Sequence, residues 1–586
     1  MGQTLFKEVS YNLETLINNI DTGDIGLPDI QRPFVWKNNK VRNLFDSMYR
    51  GFPIGYLLFW QNAMGKNGQR QVGSSKKQNI PNLLIVDGQQ RLTSLYAVIK
   101  GIPVIRENYE EEIIKIGFRP RDGKFEVTDA AVSRDPEFIP NISSMWADDS
   151  DIFEVTDEFF DKLEEKREIS KEEKKLIRGN ISQLHNLKKY PFTALELVAD
   201  VDEEQVSEIF VRINYEGKKL NQSDFILTLM SVFWDDGRSQ IEDFCRASRQ
   251  PDKNKQTPFN YFIDPEPKDI LRVNVGYGFK RARMRYVYQI LRGKDLETGK
   301  VSEERREEQF EVLKNAQDDV LNLQNWHDFL KTLMRAGFKS GKMITSDNNL
   351  LFAYILFLIG LKDFKIDRYS LKEVVSQWFF MSNITGRYTG SPASAMEKDL
   401  NWIIELENAD DLVDELKQIC TETLTEDFWS ITLPNDLATS SSRSPSLFAY
   451  HASQCLLDAK VLFSNSRISD LLDPAVQGNR SAMERHHLYP KNYLNKQGIE
   501  DFKQTNQIAN FALVEWDDNN TISDQKPSEY LPNYISRFDS AVLEKMYYWH
   551  ALPKGWENMK YDEFVEKRRK LMAKVIRDGY YKLINN

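Results

Sequence analysis

Short β-like runs are concentrated in the first 235 residues, and apolar spacing of helical period governs most of the remaining chain, so one continuous sheet cannot organise this protein. At 586 residues it is also too long for a single hydrophobic core, and at about 100–200 residues per domain several units are expected. The reading is α+β and multidomain: an α/β domain over 1–235, a helical connector over 236–438, and a final unit over 439–586 entered through the Ser-rich segment Thr439–Pro445. In the first domain Tyr56–Trp60 and Leu83–Val86 read as strands, and the Glu- and Lys-rich stretch Phe159–Arg178 as an exposed hairpin or arm. In the connector, periodicity predicts helices at Leu350–Leu361 and Leu371–Met381.

Composition narrows the classes of function. With 41% hydrophobic and 12% aromatic residues the chain can bury large cores, which excludes general disorder. No apolar run reaches membrane-spanning length and Met1–Ser10 lacks a secretory pattern, so a cytoplasmic protein with no membrane partner is expected. Cys245, Cys420 and Cys455 are far apart, which argues against a disulfide framework and a zinc ribbon. A net charge of −10 excludes a general nucleic-acid coat, so any contact with DNA must be local. Lys554–Lys582, with nine Lys/Arg against five acids, is one candidate; the solvated face of an amphipathic helix carrying Phe564, Leu571 and Val575 explains it equally well.

Two constellations carry chemistry. Leu83–Leu95 reads as a buried strand, a glycine turn at Gly88 and the start of a helix ending near Gly101. Backbone N–H groups and the helix dipole make such a junction favourable to anions, and Arg91 in its first turn needs a negative partner. Asp87 or a bound phosphate would serve, and both readings stay open. Near the C-terminus, His486 and His487 are adjacent and followed by Pro490, whose restriction of the backbone favours a bend that could bring both imidazoles to one site. Asn506–Glu515 then reads as a polar turn entering a strand, and Asp517–Asn520 as a second turn able to cap a helix.

Three segments, Q-R-P-x-x-W at Gln31–Trp36, D-G-Q-Q-R at Asp87–Arg91 and F-x-R-I-N-x-x-G-x-x-L at Phe210–Leu220, together resemble the N-terminal domain of the GmrSD-type restriction enzymes, the BrxU and SspE groups included. The resemblance implies a ParB/sulfiredoxin-like α/β domain that binds and hydrolyses a nucleotide, GTP or ATP. Asp87, Gly88, Gln89, Gln90 and Arg91 would line the site, with Gln31 and Arg32 beside it. The order H-H-x-x-P, N-F-x-L-V and then Asn519 resembles the HNH (ββα-metal) nuclease motif of the same enzymes. It implies His487 as general base, Asn510 orienting it, and His486 and Asn519 holding a divalent metal, Mg or Mn. His486 stands where the family usually has Asp.

Together these resemblances imply a single-chain, BrxU-like type IV restriction endonuclease of phage defence. It would cut double-stranded DNA bearing hydroxymethylated or glucosylated cytosine, with nucleotide binding controlling domain arrangement or a homodimer. The rivals are a phosphorothioate-sensing, SspE-like nicking nuclease, a nucleotide-switched DNA-binding regulator with an inactive HNH site, and an RNA-cutting toxin.

Overall fold

The computed structural model describes residues 4–26, 34–61, 81–106, 110–147, 151–199, 201, 205–206, 209, 222–252, 254–295, 298–475, 483–515, 522 and 524–585. Gln31, Arg32, Asn519 and the Phe210–Leu220 segment lie outside these residues. The chain forms two compact units, Met1–Arg238 and Ser239–Asn586.

The first unit is built on a five-stranded mixed sheet. Phe6–Asn12 runs antiparallel to Pro191–Leu197, which pairs in parallel with Leu57–Gln61; that strand pairs antiparallel with Leu83–Asp87, and Ile25–Gly26 closes the other edge in parallel. Leu57–Trp60 and Leu84–Val86 are buried throughout, which is why they read as continuous apolar runs rather than alternating ones. Helices Leu13–Asp21, Asn38–Tyr49 and Gln89–Lys100 contribute apolar residues to the same core. Asn38 is the first helical residue there and Lys37 the cap.

Phe159–Arg178 is not an exposed arm. Its residues belong to two helices, Ile152–Glu164 and Lys171–His185, whose Phe159, Phe160, Leu163, Ile177, Ile181 and Leu184 are part of the unit's core. The charges lie on the opposite faces, and Arg167 ties the turn between the helices to Glu137 and Glu173 at 2.7 and 2.6 Å.

The second unit is largely helical. Asp347–Leu358 is buried along Asn349–Leu358, so it forms the centre of a helical core, and Arg368–Ile384 packs against it. Arg368–Ile384 also packs on Leu323–Arg335, Ala409–Thr423, Pro445–Leu456 and the long Tyr561–Asn585 helix. A two-stranded antiparallel hairpin, Met483–His487 with Phe511–Glu515, is carried by this framework. Among the described residues no helix is long and apolar enough to cross a membrane.

Candidate functional site

In the first unit the strand Leu83–Asp87 turns through Gly88, at φ +92°, into the helix Gln89–Lys100, which ends at Gly101 in the left-handed region. A side chain at Gly88 would place its Cβ 2.4 Å from Leu57 Cδ2, so only glycine fits. The guanidinium of Arg91 donates to the carbonyls of Ile54 at 2.6 Å and Tyr56 at 2.8 Å, and pairs with Asp87 at 3.3 Å. The local Arg–Asp pair is thus formed, and Arg91 fastens the turn to the neighbouring strand. Gln89 Nε2 donates to Ile85 O at 3.1 Å, while Gln90 Oε1 accepts from Val35 N at 3.3 Å.

That last bond connects the motif to a cleft of about 780 Å³ lined by Phe34, Trp36, Lys37, Asn38, Arg106 and Glu112 among others. Arg106 is its organising cation. It donates to Glu112 at 2.7 Å, to Trp36 O at 2.6 Å and to Asn38, and its guanidinium carbon lies 5.1 Å from the Phe34 ring centroid. The bond from Arg106 holds the Glu112 carboxyl below the usual range, so it is ionised at neutral pH. Lys40 Nζ stands 4.1 Å from the centroid of Trp36. Aromatic walls with charges of both signs, Glu110 and Glu111 beside Glu112 included, make this cleft a candidate ligand site. Arg106 and Glu112 belong to no motif and reach the site through tertiary folding alone.

In the second unit the hairpin register sets His486 opposite Ala512 and His487 opposite Phe511. His486 is buried, its ring edge-on to Tyr530 at 5.9 Å, whereas His487 is half-buried, closes the strand and lies 4.3 Å from the Phe511 ring. His487 Nε2 is 3.1 Å from Asn506 Oδ1. The amide nitrogen of Asn506 donates to Phe502 O at 3.1 Å, which turns Oδ1 toward the histidine. With the amide in this orientation, Nε2 is the ring nitrogen that faces Asn506.

Asn510 does a different job. Fully buried, it accepts from Tyr489 N at 2.9 Å and donates to Tyr489 O and Thr505 O, each at 3.0 Å. It clamps both ends of the 488–510 connection and so fixes the backbone that leaves His487. Asn506, which no sequence motif marks, is the side chain that reaches the imidazole.

The clamp is itself held from behind by Arg568, completely buried, which donates to Ala509 O at 2.7 Å and His550 O at 3.2 Å. The remaining basic residues of Lys554–Lys582 include Lys567, Lys570 and Lys574, paired at i,i+4 with Glu563, Glu566 and Asp578, and Arg577, paired with Glu426. This stretch thus has the pattern of a solvated amphipathic face.

Among the described residues no three His, Cys, Asp or Glu side chains converge as a metal-binding group. Of the two residues expected to hold a metal only His486 is described, and an imidazole suits Mn²⁺ or a later transition ion better than Mg²⁺, an ion that prefers oxygen.

The chain thus joins a unit built on a mixed sheet to a largely helical unit that bears a histidine hairpin. Residues 13–231 match the family described as GmrSD restriction endonuclease, N-terminal domain, so the first unit is similar to the N-terminal domain of those enzymes. The chain is also similar to the uncharacterized protein MJ0686 of Methanocaldococcus jannaschii, 21% identical over 573 residues that cover 89% of this chain and 87% of the relative. The similarity therefore extends well beyond the N-terminal domain.

Proposed function

We propose that this protein is a modification-dependent (type IV) DNA endonuclease of phage defence, in which nucleotide bound in the first unit controls an HNH-type site on the hairpin of the second. The observation that carries the reading is the hairpin itself: His487 at a strand end, with its Nε2 against Asn506 and its backbone clamped by Asn510.

Phosphodiester hydrolysis needs an activated water and a neutralised phosphate. His487 Nδ1 takes the water proton, and Asn506 stabilises the imidazolium through Nε2–H. His486 and Asn519 would hold the divalent metal, Mn²⁺ fitting the imidazole better than Mg²⁺. When bound, that ion supplies charge neutralisation at the scissile phosphate. In the first unit, which we take to be ParB/sulfiredoxin-like, GTP or ATP would occupy the cleft beside Gln90, with Lys37 and Arg106 toward its phosphates and Trp36 toward its base. Gln31, Arg32 and Asp87–Arg91 complete that site, Arg91 by holding the turn. The DNA substrate we infer carries hydroxymethylated or glucosylated cytosine.

Two variants test the division of labour. His487→Ala is expected to lose cutting and keep nucleotide binding, and Lys37→Ala to weaken nucleotide binding while leaving the hairpin intact. Undiminished cutting by His487→Ala would overturn the assignment.

A further inference from the structure

One surface of the second unit belongs neither to the hairpin nor to the clamp behind it. Asp328, 4% exposed on the helix Leu323–Arg335, accepts from Gln324 Nε2 at 2.8 Å, Lys331 Nζ at 3.3 Å, Arg368 Nη1 at 2.6 Å and Lys372 Nζ at 2.9 Å. One carboxylate thus gathers three cations and leaves local positive charge on a chain whose net charge is −10. The residues from 331 to 346 add to it, since they contain Lys331, Arg335, Lys339 and Lys342 and no acid. Arg335 lies with its guanidinium carbon 5.7 Å from the ring centroid of Tyr369, which is 65% exposed, while its Nε and Nη2 are themselves buried. A structural ion pair needs none of this excess.

Beside the cations opens a cavity of about 480 Å³, lined by Tyr261, Phe262, Gln256, His327, Lys331 and Met334 among others. Its walls are fixed. Trp326 Nε1 donates to Pro258 O at 2.9 Å, His327 Nε2 lies 2.9 Å from Thr257 O, and Gly341 N donates to Tyr261 O at 2.9 Å, which seats the turn carrying Lys342 against the same loop. Tyr261 and Met334 are nearly half exposed, unusual for large apolar side chains lining a concavity with no other role. Aromatic side chains with Lys331 among them, and Lys342 on the turn bonded to Tyr261, match the requirements of a nucleobase with its flanking phosphates.

We propose that this cavity receives a single nucleobase rotated out of a DNA duplex, stacked on Tyr261, with the flanking phosphates on Lys331 and Lys342. The inference rests on the DNA-endonuclease reading and gives it a place where a base can be inspected away from the hairpin.

The test uses the full-length chain and two fluorescein-labelled probes that contain 5-hydroxymethylcytosine, a perfect duplex and the same duplex with one such base unpaired, titrated by anisotropy at several salt concentrations. The wild type is expected to favour the unpaired-base probe. Tyr261→Ala should lose that preference, weakening its binding by ~5- to ~150-fold, the value of one base–aromatic stack, while Tyr261→Phe keeps it. The double variant Lys331→Gln, Lys342→Gln should weaken both probes and reduce the salt slope by about one for each phosphate that is no longer neutralised. Unchanged melting of the variants secures the comparison, and the lysine pair, being exposed, carries it should Tyr261→Ala misfold. Wild-type protein that binds neither probe overturns the DNA reading and this inference with it. Equal wild-type binding of both probes, a Tyr261→Ala variant that retains the preference, or a lysine pair that leaves affinity and salt slope unchanged overturns the base pocket and leaves the DNA reading standing.

Discussion

Replacing Asn510 by alanine should loosen the hairpin without unfolding the protein. The side chain makes three hydrogen bonds, at 2.9, 3.0 and 3.0 Å, all to main-chain groups of Tyr489 and Thr505. A net value of about 1 kcal/mol per bond gives about 3 kcal/mol, and a buried N–H left without a partner at Tyr489 adds to it. That energy corresponds to opening ~150-fold more often. Amide hydrogen exchange read by mass spectrometry isolates the local event, because peptides covering Met483–Tyr489 and Phe511–Glu515 report the hairpin and those covering Leu83–Lys100 report the other unit. The expected result is ~10²-fold faster exchange confined to the hairpin peptides. Unchanged hairpin protection, or equal acceleration in both units, would refute the clamp.

Single residues elsewhere carry further expectations. Asn506→Ala removes the group that faces His487 Nε2, so cleavage should fall by ~10- to ~100-fold with nucleotide binding intact, and Asn506→Asp should shift the pH–rate profile upward by favouring the imidazolium. His550 is fully buried, and burial drives its pKa down to about 3, with neighbouring Arg568 and His451 acting the same way against the bond to Lys460 O. Because the unfolded imidazole titrates near 6.5, the unfolded state binds more protons below that pH. Stability of the second unit should therefore be full above pH ~6.5 and fall by roughly 1.4 kcal/mol per unit toward pH 3; urea midpoints for wild type and His550→Gln check this, the variant losing most of the slope. Gly88→Ala should destabilise the first unit by ~1–3 kcal/mol through the left-handed backbone and the Leu57 contact, seen as a lowered melting midpoint, with hairpin exchange unaffected.

The parts legible in the sequence are those fixed by neighbouring residues. Gly88 and Gly101 delimit the helix between them because both occupy left-handed backbone, and the apolar run Leu83–Val86 forms a strand buried on both faces. Phe159–Arg178 misled because its charges sit at helical spacing and so do its apolar residues; the charge density drew attention to the solvent side of two helices whose other sides fill the core. Asn506 took the place at the imidazole expected of Asn510 for a similar reason. Which of Asn506 and Asn510 meets the imidazole depends on how the 488–510 connection closes, and no spacing encodes that closure. Arg106 and Glu112 were invisible because their ribbon meets Phe34–Asn38 only through tertiary packing.

Endonuclease activity at the hairpin is tested most directly by incubating the wild type and His487→Ala with glucosylated or hydroxymethylated cytosine phage DNA and with unmodified DNA, in Mn²⁺ or Mg²⁺ with GTP or ATP. The expected result is metal-dependent cutting of the modified DNA alone, absent in the variant. Cutting that survives His487→Ala, or no cutting of any DNA with any of these ions, would contradict it.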